Sequence, residues 1–455
     1  MDFVNQLVTF ITTYLGMMLI GGSLFIIIQA NQSQPRLSWF MVAIFGFCAS
    51  LSKFKDEFIK ETPALVFPLE QIRELGRPLT IVLLVILILI SLKTKNIWRK
   101  KILPQPIFYL ILVQVVIFCK ISSDGDLRFA FLSAATFGGL VLMVILGPSR
   151  WLQNDQNFQL GVWAIAMVGI IFGIVNTYQV LIDKHAVTFV HGWFLGTTGN
   201  PHHAAVLITA TLPCFLFLFF QEKNLWLKGL WAGFFGLAVL GLLMTASRTG
   251  IIMAVVSMLI FFRHQGGKLL QITLIFGIIL ALLSSALPTD ADTPGILSNS
   301  FNKLSNLNNT RAGVWSSYWQ KFLEYPLFGA SLKGERLRFG ESSWLGVLGG
   351  LGLVGAFPMF MFAWTSLKMI FKLEQLSKIN LDFYLKSSVI ISGLFSLLVG
   401  GISEAYLLGN LTFSILAVLL YLVLGNYLIE VAQRQYDYSQ SQQYGNYMFS
   451  SKLES

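Results

Sequence analysis

The chain has 455 residues, 55% of them hydrophobic and 12% charged, with a mean hydropathy of +0.69. That composition excludes an ordinary soluble domain and points to a protein that crosses a bilayer many times, so the length divides into spans rather than soluble domains. The net charge of +10 is read by position, because basic residues in such a chain mark cytoplasmic loops and anionic lipid contacts before they mark nucleic acid, which is not expected as a partner.

An apolar helix of roughly 20 residues crosses the hydrocarbon core. On that rule the candidate spans are 7 to 30, 38 to 52, 76 to 92, 104 to 120, 128 to 147, 158 to 182, 202 to 221, 225 to 245, 248 to 263, 268 to 287, 343 to 366, 385 to 403 and 408 to 428. They number about twelve to thirteen, the second, third and ninth being short for the rule. Residues 7 to 30 carry neither a basic leader nor a small-residue cleavage site and read as a retained first span. The expected fold is all-α and polytopic: ten spans within residues 1 to 287, a large loop at 288 to 342, three spans within 343 to 428, and a polar tail at 429 to 455 with no fold of its own.

Basic residues set the orientation. Lys93, Lys95, Arg99, Lys100 and Lys101 form the densest basic loop; Arg263, His264 and Lys268 mark a second turn, and Lys368, Lys372, Lys378 and Lys386 a third. Taking all three as cytoplasmic gives one consistent parity. It places 53 to 75, 121 to 127, 183 to 201, 246 to 247 and 288 to 342 on the far side and the C-terminus in the cytoplasm.

The groups able to do chemistry concentrate between Asn302 and Gly355. Lys303, Asn306, Asn308, Asn309 and Thr310 precede Arg311, and then Val314, Trp315, Tyr318, Trp319, Phe322 and Leu323 recur at helical spacing before Pro326. Trp and Tyr favour the water–lipid boundary, so a helix at about 311 to 325 is expected to lie along the membrane surface. Lys333, Glu335, Arg336, Arg338 and Glu341 follow, and the chain turns apolar again at Trp344.

Each charged candidate has two readings. Arg248, between two apolar runs at an outer turn, either binds phosphate through its planar paired donors or snorkels to headgroups. Arg311 either binds an anion or pairs with a carboxylate of its own loop. Arg336 and Arg338 belong to a solvated segment, as anion ligands or plain surface charge. Glu341 is a general base if partial burial raises its pKa, or a solvated carboxylate at a helix start. His202 and His203 follow Gly199-Asn200-Pro201, with His191 upstream. Adjacent histidines diverge on a helix and no carboxylate completes a ligand spacing, so Asn200 and His202 read as lining a cavity mouth and no metal is expected. Cys48, Cys119 and Cys214 lie in apolar runs and indicate neither disulfides nor a thiolate metal site. A phosphate-binding glycine loop, a dinucleotide fingerprint and a nucleophile elbow are all missing from the sequence.

Four segments together resemble the O-antigen ligase and polymerase superfamily of bacterial envelope membrane proteins: Gly196-Thr197-Thr198-Gly199-Asn200-Pro201, Ser247-Arg248-Thr249-Gly250, Arg311 to Gly329 with its Pro-Leu-x-Gly ending, and Glu341 to Gly355 with Leu345, Leu348, Gly352 and Gly355 in register. Where ligases of that family place a histidine, this chain has Glu341-Ser342, a departure that favours a repeat-unit polymerase. The resemblance implies glycosyl transfer from an undecaprenyl diphosphate-linked saccharide to a sugar hydroxyl at the outer face of the inner membrane, without cofactor. Arg248 and Arg311 would clamp the diphosphate, Arg338 and Arg336 would assist, Glu341 would take the acceptor proton, and Trp315 and Trp319 would seat a sugar. A flippase, a chain-length regulator and membrane lipid are the partners implied besides the glycan acceptor. The alternatives are a ligase acting on a lipid or other acceptor, a secondary transporter of a small anion and a structural scaffold. Against transport, the charges gather at span ends, Glu404 included, rather than at mid-membrane.

Overall fold

The structure is a computed structural model and describes residues 13–14, 16–18, 21–22, 35–51, 65–92, 103–183, 187–188, 193–267, 311–332, 341–408 and 411–453, the side chains of the last segment as far as 435 and all others except that of Arg77. The expected spans at 7 to 30 and 268 to 287 fall mostly or wholly outside these residues. His191, Arg336 and Arg338 fall outside them as well.

Twelve helices of more than four residues are numbered here in chain order: α1 Pro35–Ser50, α2 Leu69–Leu92, α3 Gln105–Ser123, α4 Leu127–Leu146, α5 Asp155–Ile182, α6 Pro201–Gln221, α7 Leu225–Met244, α8 Arg248–Phe261, α9 Ala312–Glu324, α10 Ser343–Leu376, α11 Leu381–Gly400 and α12 Phe413–Leu453. Among the described residues the one β feature is a bridge between Thr188 and Phe194. Among the described residues eight helices are long and apolar enough to cross a membrane, and α2 makes a ninth if its two arms, bent by 84° at Gly76, are one span. The chain is therefore an all-α, multi-pass membrane protein. α1 and α8 are apolar but shorter than the other spans, as their sequences foretold.

Starts are set by polar side chains that accept a free backbone N–H: Asp126 for α4, Asn154 for α5, Asn200 for α6, Asn224 for α7, Ser247 for α8, Ser342 for α10 and Asn380 for α11. α6, α11 and the apolar part of α12 form the centre, with 78%, 83% and 83% of their most apolar stretches buried, against 17% for the peripheral α7. Close approach at the centre needs small residues, since packing rather than water exclusion drives helix association in lipid. A Cβ at Gly393 of α11 would sit 2.5 Å from Tyr421 Cε2 of α12. The Tyr421 hydroxyl donates to the Ala210 carbonyl of α6 at 2.7 Å, so the buried polar group is satisfied.

α10 is 34 residues long and breaks at Gly352 (φ 60°). The Pro326-Leu327-Phe328-Gly329 turn after α9 fills the break. Leu353 N–H donates to Pro326 O at 2.8 Å, Val354 N–H to Leu327 O at 3.2 Å, and Ala330 N–H to Gly349 O at 2.9 Å. Lys120, at the end of α3, closes the assembly by donating to Gly329 O at 3.0 Å. Backbone groups freed inside a span thus find partners within the protein, the condition for non-helical backbone at membrane depth.

The side-chain contacts sort into two polar ends. At one, Arg263 and His264 after α8 meet Glu374 of α10 at 2.5 and 2.9 Å, Arg263 also donates to Ser388 of α11 at 2.9 Å, and Lys386 of α11 pairs with Asp155 of α5 at 3.0 Å. At the other lie the starts of α6, α8, α9 and α10.

One expectation is corrected: the polar tail is expected to have no fold of its own, yet α12 continues as helix to Leu453. Propagating an existing helix fixes one residue per hydrogen bond, and the segment contains no proline to stop it. Of the two readings of Glu341, the structure has the exposed carboxylate at a helix start: its side chain is 48% exposed, because it precedes the Ser342 cap rather than packing beneath it.

Candidate functional site

The site assembles from three turns that its sequence makes rigid. Before α6, Gly196 (φ 56°) and Gly199 (φ 66°) bracket a single 3-10 turn in the left-handed region that glycine adopts without a Cβ penalty. Asn176 of α5 accepts from Thr197 N–H at 2.9 Å and pins the turn to the bundle. Asn200 then caps α6 by accepting from His202 N–H at 2.8 Å, and Pro201 fits the first helical position. Asn200 has a structural duty, and its product is the placement of His202.

Between α7 and α8, Thr245-Ala246-Ser247 reverses the chain in three buried residues. Ala246 is left-handed (φ 52°), a conformation that costs a non-glycine residue about 1–3 kcal/mol and persists where surroundings over-determine it. Ser247 Oγ accepts from Gly250 N–H at 3.2 Å and caps α8, which makes Arg248 its first residue, half-buried. Between α11 and α12, residues 401 to 408 fold back over α10: Ser343 N–H donates to Gly401 O at 2.9 Å and Glu404 O at 3.2 Å, and Ser343 Oγ donates to Glu404 O at 2.7 Å. Those carbonyls satisfy the free N–H that begins α10.

Arg311 joins the three. It occupies the N-cap position of α9, which its side chain cannot cap, and extends into the bundle instead. Nη2 lies 2.6 Å from Glu404 Oε1 and Nε 3.4 Å from Glu341 Oε2, while Nη1 donates to Thr249 Oγ1 at 3.2 Å and to the Ser403 carbonyl. Thr249 follows Arg248 at the start of α8, so the Arg311 side chain reaches the turn on which Arg248 stands. His202 Nδ1 is 3.1 Å from Glu404 Oε1 and 3.2 Å from Ser247 Oγ. Ser403 Oγ donates to Thr249 Oγ1 at 3.0 Å.

Four helix N-termini therefore meet around one buried carboxylate. Each carries partial positive charge from its unpaired N–H groups, which is unfavourable for Arg248 and Arg311 and favourable for an anion. Glu404 is 8% exposed. Burial would raise its pKa, but the His202 hydrogen bond and charge, with the Arg311 guanidinium, outweigh that and hold the carboxyl below its usual value. Burial raises the Tyr318 phenol of α9, and the charge of Glu341 adds to it.

The other sequence candidates are placed differently. Trp315 is half-buried and its Nε1 has no hydrogen-bond partner among the described residues. Trp319 is 51% exposed, its ring 5.5 Å from Phe322 rather than against the cluster. Among the described residues no three His, Cys, Asp or Glu side chains are grouped so as to hold a metal ion; the His202 ring nitrogen is engaged by Glu404 and Ser247 instead. Glu404, Ser403 and Thr249 were not among the predicted site residues. The available signal was a carboxylate at the end of an apolar span, since an ionisable group there needs a named partner. No protein-family model matches the chain, and no curated protein matches it.

Proposed function

We propose that the chain transfers a saccharide from a polyprenyl diphosphate carrier, undecaprenyl diphosphate in bacteria, to a sugar hydroxyl at the extracytoplasmic end of the bundle in the inner membrane, extending a polysaccharide by repeat units. The observation that carries this reading is Arg311: a guanidinium fixed among helix N-termini, whose counter-ions are carboxylates that an incoming diphosphate can replace. The four motif segments that resemble the O-antigen ligase and polymerase superfamily are also the segments that supply Arg311, Arg248, His202 and the Gly329–Gly352 junction, which supports the same reading.

In the reaction the bond from the anomeric carbon to the diphosphate breaks, and negative charge develops on the leaving oxygen. Fixed cations placed for that charge stabilise the transition state without reorganising, and removing one such donor typically costs ~10²–10³ in rate. Arg311 and Arg248 supply them; Arg336 and Arg338, on the segment that follows α9, are auxiliary. The exposed Trp319 and Leu323 of α9, with Leu327 and Phe328 just after it, support a placement of that helix along the membrane surface, with Trp315 toward the glycan. In a strain lacking its own copy of the gene, Arg311→Ala and Arg248→Ala abolish polymer while membrane abundance of the protein stays constant. Normal polymer from either variant removes the clamp.

The ligase alternative differs in acceptor only, and the carboxylate Glu341 in place of histidine weighs against it. Transport of a small anion is favoured by the break in α10, since discontinuous helices line transport sites. Here, however, the freed backbone groups bond to the 326–330 turn, which leaves them committed rather than offered to an ion. Uptake of a labelled anion by proteoliposomes, blocked by Arg311→Ala, would support transport instead.

A further inference from the structure

We propose that His202, backed by Glu404, is the group that takes the proton from the acceptor hydroxyl, a role the resemblance implies for Glu341. The inference rests on the glycosyl-transfer reading and deepens it. A carboxylate oxygen only accepts, so a ring nitrogen 3.1 Å from Glu404 Oε1 carries the ring proton, and that nitrogen is Nδ1. The lone pair of the neutral imidazole is then on Nε2, which makes no hydrogen bond among the described residues. The His202 side chain is 34% exposed and that of Glu404 11%, so the ring faces the accessible side with the carboxylate behind it. A second group that fixes the tautomer and stabilises the imidazolium is what makes a histidine an effective base.

Ser247 does not turn the pair into a nucleophilic triad. Its Oγ approaches the same Nδ1 that faces Glu404, at 3.2 Å, and already accepts from Gly250 N–H. A serine to be deprotonated would have to face the basic Nε2. Glu341 is the weaker candidate on geometry alone: its side chain is 48% exposed and faces the Arg311 guanidinium at 3.4 Å, with no group behind it to orient it as Glu404 orients His202.

One oxygen couples the dyad to donor binding. Glu404 Oε1 touches Arg311 Nη2 at 2.6 Å and His202 Nδ1 at 3.1 Å. When a diphosphate engages Arg311, Glu404 Oε1 is left to His202 alone. The balance is complete without a further reactant. The acceptor O–H proton moves to Nε2, the acceptor oxygen bonds to the anomeric carbon, the electron pair of the broken bond leaves on the diphosphate, and the imidazolium afterwards returns its proton to water. The charged and titratable groups facing the pair are Arg311 before α9, His203 of α6 and Tyr406 of the 401–408 loop, with Ser247 against the ring and Thr249, Ser403 and Glu341 behind Arg311.

The test compares His202→Gln, Glu404→Gln and Glu341→Gln in membranes of a producing strain loaded with its own lipid-linked repeat units, and measures turnover against pH. Separately, each purified protein is titrated with undecaprenyl diphosphate. His202→Gln should lower turnover by ~10²–10⁴-fold and erase the alkaline-rising limb of the pH profile while retaining undecaprenyl diphosphate binding. Glu404→Gln, a positioning change, should shift that limb to lower pH. Glu341→Gln should retain the limb and turn over within a few-fold of the native chain. If His202→Gln does not reach the membrane, His202→Ala rescued by added imidazole decides the same question, and absence of rescue overturns the dyad. A native limb in His202→Gln, with its loss in Glu341→Gln, returns the role to Glu341 and leaves the glycosyl-transfer reading standing. Failure of the native chain to bind undecaprenyl diphosphate defeats that reading itself.

Discussion

Gly352 leaves the helical conformation where Gly329 enters it: a Cβ built on Gly352 would lie 2.5 Å from Leu327 C and 2.7 Å from Gly329 N. Two backbones touch there with no room for a side chain, and the contact fixes the distance between α9, which carries Arg311, and α10, which carries Glu341. The site's geometry thus depends on a junction that contains none of its chemistry.

Gly352→Ala and Gly329→Ala each force a side chain into positive φ as well as into backbone, for φ 60° and 70°. The conformational part alone is about 1–3 kcal/mol per position, so both variants should unfold at clearly lower temperature in detergent. Gly313→Ala is the control: nothing lies within 4 Å of its Cβ, and in the first turn of α9 alanine should leave the melting temperature close to native. Equal melting temperatures for all three variants would remove the junction.

The acid limb of stability should contain Glu404. Its folded pKa is lowered from 4.5, so the unfolded chain binds the proton first, and the stabilisation it supplies is present above the unfolded value and fades as pH falls through the folded one. The melting temperature of the native chain should therefore exceed that of Glu404→Gln at pH 7, with the gap closing as pH falls below 4.5. A gap independent of pH would assign the loss to shape rather than charge.

The opposite end of the bundle offers a contrast. Arg263 and Glu374 lie 2.5 Å apart with side chains 18% and 29% exposed. A double-mutant cycle, Arg263→Met with Glu374→Gln, should give a coupling of about 1–2 kcal/mol in unfolding, while each single variant polymerises at the native rate per folded molecule. Loss of turnover with folding intact would connect that end to the chemistry.

The sequence made the spans and their starts legible for simple reasons. Apolar runs have few alternatives in a membrane, and Asn200-Pro201, Ser247 and Ser342 are start signals readable without tertiary context. Arg311 was legible as a cation whose own loop offers a carboxylate, and Glu341 is indeed one of its partners. What stayed hidden is long-range. No local rule says that a Pro-Leu-x-Gly turn inserts at Gly352, or that Glu404, 93 residues beyond Arg311, supplies its closest carboxylate. Glu341 was favoured because it stands at a span start in sequence, yet burial, not sequence proximity, decides which carboxylate is the strong partner. The helical tail escaped because composition reports the absence of a core and says nothing about propagation from a helix already formed.

The central claim is that Arg311 exchanges its carboxylates for a lipid-borne diphosphate. Titration of the purified chain with undecaprenyl diphosphate and with undecaprenol, for the native protein and Arg311→Ala, measures it directly. A charge-assisted contact of about 1.5–3 kcal/mol corresponds to roughly a 10–150-fold weaker dissociation constant when it is removed. The expected result is that loss for the diphosphate and unchanged, weak binding of the alcohol. Equal affinity of native and Arg311→Ala proteins for undecaprenyl diphosphate would contradict it.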